Sequence, residues 1–199
     1  QSHRERLLSI CERHRVPLLE DGFEEEMKYF GKAVLPIKSM DHQGVVIYLG
    51  TFSKILFPGL RIGWIAAHQE CIERLAPIQR ALILSGNLLD QAALHRFCRM
   101  GHYDLHIKRM HRIYRKRMQV ALKALKTTFA GNGRIAWAEP CGGYTVWLCL
   151  NDPDQPEDRV VAALRNHGVM VLPGSYHFHG ASQGIYFRLS IAHLEEADI

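Results

Sequence analysis

The stretch GTFSKILFPGLRIGW, residues 50–64, brings an amine, a guanidinium and two hydroxyls into one short segment. Lys54 follows Thr51 and Ser53 closely, and Arg61 comes seven residues after it. The apolar runs on either side, VVIYLG and RIGWIAA, read as strands, and the Pro-Gly turn between them brings Arg61 back towards Lys54. A guanidinium offers a planar fork that suits a phosphate, and hydroxyls add further donors. A lysine amine beside a phosphate site can condense with a carbonyl. The segment therefore suits a carbonyl-bearing phosphate cofactor held as a Schiff base. The plain alternative is a surface lysine in an ordinary loop.

Pyridoxal phosphate fits that description. Its ring nitrogen needs a carboxylate that keeps it charged, so that the ring accepts electrons. Open α/β sheets present ligands at the C-terminal ends of their strands. The run VPLLEDG offers Glu20 and Asp21 at such an end. A solvated strand end is the competing reading of these two acids.

The elements that would position these groups are legible from periodicity. Ser2 is a candidate N-cap for a helix with Leu7, Leu8, Ile10 and Cys11 at helical spacing, ended by Pro17. PLLED then reads as a short buried strand, residues 22–44 as loop with a short helical turn, and VVIYLG as a central strand. A helical pattern runs from Cys71 to Arg99, interrupted at Gly86. A long amphipathic helix follows from Tyr103 to Phe129, with Ile107, Met110, Tyr114, Met118, Leu122 and Leu125 as its apolar stripe. Strands RIAWAEP, GGYTVWLCL, VMVLPG and IYFRLSIA and the helix QPEDRVVAALRNHG complete the pattern. The first half reads as helix–strand alternation of a parallel sheet and the second as a small α+β unit. The closing LEEADI reads as the first turn of another helix.

With LLEDGF before it and GGYTVWLCL and YFRLSIAHLEEADI after it, GTFSK…PGLRIGW resembles the fold-type I pyridoxal-phosphate aminotransferases of class I/II. The resemblance extends over essentially the whole chain. It is strongest to the aminotransferase-like domain of MocR-type GntR regulators and to their free-standing aminotransferase relatives. It implies an α/β fold: residues 1–101 as the C-terminal part of a mostly parallel, cofactor-binding large domain, and residues 102–199 as a long interdomain helix with a small α+β domain. It also implies pyridoxal 5'-phosphate as cofactor, with Lys54 as the Schiff-base lysine and Arg61 on the phosphate. Thr51 and Ser53 would lie near that phosphate, and Asp21 on the pyridine nitrogen. Arg188 would hold the α-carboxylate of an amino-acid substrate or effector. Relatives often carry Tyr where this chain has Phe23, so the hydrogen bond to the cofactor's ring hydroxyl would be missing here.

The family's large domain usually begins well before Asp21, with a ring-stacking aromatic residue and a phosphate cradle. With Gln rather than Met at position 1 and LEEADI reading as the start of a helix, both ends are expected to be cut, and without that missing part the 199 residues alone are expected to bind cofactor weakly without turnover. A homodimer is implied, and DNA would be bound only through a winged-helix domain upstream. The residues leave an enzyme and an effector-sensing regulator equally open.

Bulk properties agree with a globular chain. Net charge is +5, which suits an anionic ligand without demanding one. Five cysteines without a C-x-x-C argue against a disulfide framework or zinc ribbon and for a reducing cytoplasm. No apolar run is long enough to span a membrane. The basic run LHIKRMHRIYRKR reads as the charged outer face of the long helix rather than a nucleic-acid surface. His102 and His106 share a helical face, with His111 beyond them, but the spacing lacks the carboxylate of a metal motif, so no metal is expected.

Overall fold

The computed structural model describes residues 1–199 apart from 24, 33, 153–154 and 181–183. The chain divides into two compact units, residues 1–26 with 32–108 and residues 27–31 with 109–199.

The first unit opens with α1 (Ser2–His14). Ser2 is the first helical residue rather than the cap; Gln1 holds that place and no side chain caps the end. Arg15, in the left-handed conformation, ends the helix, and Pro17 prevents its resumption. Strands β1 (Leu18–Asp21), β2 (Val46–Thr51) and β3 (Gly63–Ala66) form a sheet in the order β1-β2-β3. β1 and β2 are parallel, from Leu18 opposite Val46 to Asp21 opposite Leu49. β3 runs antiparallel to β2, not parallel as the alternation suggested. Only residues 52–62 join them, and a parallel crossover needs about a dozen residues or more, usually including a helix. β1 is also less buried than expected: Leu18 packs on the cluster of Leu8, Ile37 and Val46, while Leu19 on the opposite face is 63% exposed. The expected helix of residues 71–99 forms as α2 (Gln69–Ile83) and α3 (Leu88–Arg99), broken at Leu84 and Gly86, both at positive φ.

Asp41 secures the entry to β2. Its buried carboxylate accepts from the backbone N–H of Gln43, Gly44, Val45 and Val46 at 2.8–3.2 Å and from Lys38 Nζ at 2.9 Å. Burial by itself would raise its pKa, but the hydrogen bonds from Val46, Lys38 and Val45 outweigh burial and hold it below the usual 3.8. A depressed folded-state value contributes stability above pH 3.8 that is lost as pH falls through the folded value. Asp41→Ala should cost on the order of 3 kcal/mol at neutral pH, because four N–H groups lose a charged acceptor. Urea unfolding between pH 6 and pH 2 measures this. The gap between wild type and variant should close towards the acid end; a constant gap would contradict the assignment.

The long helix α4 (His102–Thr128) begins in the first unit and continues in the second. In the second unit, β4 (Ile135–Trp137), β5 (Thr145–Leu150), β6 (Leu172–Pro173) and β7 (Ile185–Ser190) form an antiparallel sheet in the order β4-β5-β7-β6, with α5 (Glu157–Asn166) between β5 and β6 in sequence. Met118, Ala121 and Leu122 of α4 form the core with Val146 and Ile191. The apolar stripe read from the sequence supplies two of those helix residues. The terminal LEEADI forms a turn rather than a helix, and its Glu195 and Glu196 pair with Arg117 and Lys116 of α4.

Candidate functional site

Because β1 and β2 are parallel, their C-terminal ends lie at the same edge of the sheet. Asp21 sits opposite Leu49, and Thr51 ends β2 two residues later. Asp21 and the loop that carries Lys54 therefore leave the sheet together. Strand alternation puts Asp21, Leu49 and Thr51 on one face and Tyr48 and Gly50 on the other, with Gly22 continuing that second face. The second face is closed. A Cβ on Gly22 would run into the Tyr48 hydroxyl and one on Gly50 into the Trp64 indole, whose ring lies 5.1 Å from that of Tyr48. The Tyr48 hydroxyl donates to Glu25 Oε2 at 2.6 Å; burial and that carboxylate push its pKa well up, so it stays a donor.

The loop after β2 is tied at its base. Phe52 N–H donates to the Ile62 carbonyl at 3.0 Å, and Leu56 N–H to the Phe52 carbonyl at 2.9 Å. The Thr51 hydroxyl accepts from Ser53 N–H at 3.1 Å and donates to the Ile62 carbonyl at 3.4 Å, so it shapes the loop. Ser53 and Ile55 are only 5% and 4% exposed, whereas Lys54 between them is open to solvent. The cost of burying an amine between apolar strands therefore does not arise. The backbone is anchored on both sides and the side chain is left out. Arg61, also exposed, ends the loop with φ 51°, a left-handed conformation that costs a non-glycine residue on the order of 1 kcal/mol.

Among the described residues, Lys54, Arg61, Asp21 and Arg188 make no side-chain hydrogen bond or ion pair. The neighbouring acid does: Glu20 accepts from the N–H groups of Ile37 and Lys38 at 2.8 Å each and pairs with Arg4 at 3.4 Å. Of the two acids that end β1, only Asp21 is uncommitted. Phe23, in the turn after Asp21, is 40% exposed and presents no hydroxyl. Arg188 is exposed on β7, opposite Trp147 of β5 and Leu172 of β6, and Trp147 stacks on Tyr186 with ring centres 5.7 Å apart.

The three histidines of α4 have separate partners. His102 lies against Phe97 and His111 against Tyr29, at 5.6 and 5.8 Å between ring centres, and a His106 ring nitrogen is 2.8 Å from the Ile55 carbonyl. Among the described residues, no three His, Cys, Asp or Glu side chains gather where a metal could sit. Part of the basic run is engaged within the chain: Lys116 and Arg117 pair with Glu196 and Glu195, and Arg115 lies over the Phe30 ring. His106 is the residue whose contact with the lysine loop escaped the sequence, because no local spacing reports a partner so far away along the chain. No helix among the described residues is long and apolar enough to cross a membrane.

Comparison with known proteins gives a consistent result. A family model described as aminotransferase class I and II matches residues 2–199. The chain is 35% identical over all 199 residues to aromatic-amino-acid aminotransferase 1 of Thermococcus litoralis and spans 47% of it. It is 31% identical over the same length to the uncharacterized HTH-type transcriptional regulator YisV of Bacillus subtilis and spans 40% of that protein. The crystal structure of multiple substrate aminotransferase from Thermococcus profundus superposes on 99% of the chain with a TM-score of 0.92 and 31% identity, over 48% of its own length. The chain thus spans about half the length of the relatives it matches.

Proposed function

Because this chain belongs to the aminotransferase class I and II family, with its fold-type I architecture and pyridoxal 5'-phosphate cofactor, we propose that it carries the lysine side of a site that exchanges amino groups on an amino acid. The observation that carries this reading is the shared sheet edge. An acid and a lysine, both without side-chain partners among the described residues, leave adjacent parallel strands together, and an arginine likewise without a partner there closes the lysine's loop. These groups fit the cofactor: an amine for its carbonyl, a guanidinium for its phosphate, a carboxylate for its protonated ring nitrogen.

Once bound, the cofactor supplies an electron sink for bonds at the substrate's α-carbon. Everything else falls to the protein. Lys54 would hold the carbonyl, and its amine, once released from it, would be the base placed to move the α-carbon proton. Asp21 keeps a proton on the ring nitrogen by its negative charge. Arg61 would bind the phosphate, with Thr51 and Ser53 near it, and the Thr51 hydroxyl also ties the loop through the Ile62 carbonyl and Ser53 N–H. Phe23 leaves the ring hydroxyl without the donor that a tyrosine would offer. Arg188 receives the substrate's α-carboxylate through a two-pronged ion pair. A second copy of the chain as partner and a cytoplasmic location, in keeping with five free thiols, belong to the same reading.

Similarity to an HTH-type regulator favours one other reading, in which the same residues sense an amino-acid effector and DNA is bound by a separate domain. One experiment addresses both readings. The polypeptide as its gene encodes it is loaded with pyridoxal 5'-phosphate, reduced with borohydride and mapped by peptide. The cofactor should be found on Lys54, and attachment to another lysine would overturn the proposal. Formation of an oxo acid from added amino acids then separates an enzyme from a sensor. Arg188→Ala should leave cofactor loading intact and raise the amino-acid KM or Kd about ten- to a hundred-fold. A variant that still prefers amino acids to their decarboxylated amines, as wild type does, would assign the clamp elsewhere.

A further inference from the structure

We propose that His106 is a positioning residue for Lys54, holding the loop that carries it from the first turns of α4. The inference rests on the reading of Lys54 as the cofactor lysine. The Lys54 side chain has no partner among the described residues, so its placement comes from the backbone on either side. Before it, the chain is set by the Phe52–Ile62 hydrogen bond and the Thr51 hydroxyl. After it, the Ile55 carbonyl meets a His106 ring nitrogen, Nε2, at 2.8 Å. A carbonyl oxygen only accepts, so the imidazole donates and carries its proton on Nε2.

Tyr103 lies three residues before His106, on the same side of the helix. Its ring meets that of Phe52 edge-on at 5.6 Å, and its hydroxyl donates to Glu26 Oε1 at 3.4 Å. Burial and the charge of Glu26 push the Tyr103 phenol well up, so it remains a donor. Tyr103 and His106 therefore touch the residues on either side of Lys54: Phe52 two positions before it and Ile55 one after. A helix is stiffer than a loop, and reacting groups held from rigid elements keep their geometry more closely. A displacement of about 1 Å at a reacting group can cost around a hundred-fold in rate. The brace supplies what an exposed lysine on a loop otherwise lacks.

The test uses the cofactor-free protein and two variants. His106→Leu keeps bulk but removes the donor, whereas His106→Gln puts an amide N–H within reach of the same carbonyl. Hydrogen exchange at the Leu56 amide, which is bonded to the Phe52 carbonyl, reports closure of the loop. His106→Leu should speed that exchange about five- to ten-fold, the loss of one ordinary hydrogen bond. Amides of β5 and β7 should not change, and His106→Gln should restore the wild-type rate. In parallel, His106→Leu should need more pyridoxal phosphate for half-maximal borohydride trapping on Lys54, with His106→Gln again restored. Unchanged exchange at Leu56, equal acceleration throughout the protein, or no rescue by glutamine would each overturn the brace. Wild-type trapping on a different lysine would overturn the cofactor reading itself, whereas trapping on Lys54 with unchanged Leu56 exchange overturns the brace alone.

Discussion

Lys54→Ala should remove the visible absorbance that the protein acquires with pyridoxal 5'-phosphate, and lower amino-group exchange by at least about a thousand-fold. No other lysine lies on this loop. The amine of Lys38, in the same unit, is engaged by Asp41 and the Val46 carbonyl at 2.9 and 2.8 Å. The substitution should leave the fold alone. Lys54 is exposed and unpartnered among the described residues, and such positions usually change stability by no more than about 0.5 kcal/mol. An unaltered denaturation curve beside a lost absorbance band is therefore the expected pair of results. A variant that keeps the band, or a tenth of the turnover, would remove Lys54 from the chemistry.

Asp21→Asn and Arg61→Ala should fail in opposite ways. The amide in place of the Asp21 carboxylate would keep the shape and lose the charge that holds a proton on the ring nitrogen, so turnover should drop about a hundred- to a thousand-fold. Cofactor affinity should fall much less. Arg61→Ala removes a charge-assisted contact to the phosphate and should weaken cofactor binding about ten- to a hundred-fold. Cofactor titration and single-turnover rates on the same samples separate the two effects. Glu20→Gln is the control, since Glu20 is occupied by two backbone N–H groups and Arg4. It should lower stability and leave the chemistry of folded protein unchanged. If Glu20→Gln and Asp21→Asn traded outcomes, the acid would be misassigned.

Local features were legible wherever a residue's neighbours in sequence decide its conformation. The apolar stripe of α4 identifies Met118 and Leu122 as core residues because a helix repeats every 3.6 residues, whatever packs against it. The break between α2 and α3 follows from Gly86 in the same way. Elsewhere the fold departs from the local pattern. Ser2 looked like a cap, yet the helix begins one residue earlier and takes Ser2 inside. LEEADI looked helical, but ion pairs to Lys116 and Arg117 accompany a turn. β3 turned antiparallel because its connection is too short to cross over.

The same division runs through the site. The residue types alone show which chemistry is on offer: an amine, a guanidinium and hydroxyls within residues 51–61, an acid after an apolar run, an arginine on a late strand. Side-chain chemistry is intrinsic to a residue and needs no neighbours to be read. Which of these groups are free to use it depends on contacts made in the folded chain. Glu20 is taken by the N–H groups of Ile37 and Lys38 while Asp21 has no side-chain partner among the described residues, although the two acids are adjacent in sequence. Parallel pairing of β1 with β2 brings Asp21 to the edge from which the Lys54 loop leaves, and α4 returns from far along the chain to hold Ile55 through His106. Hydrogen bonds and strand pairs form between groups that meet in space, and sequence order sets those meetings only through the complete fold.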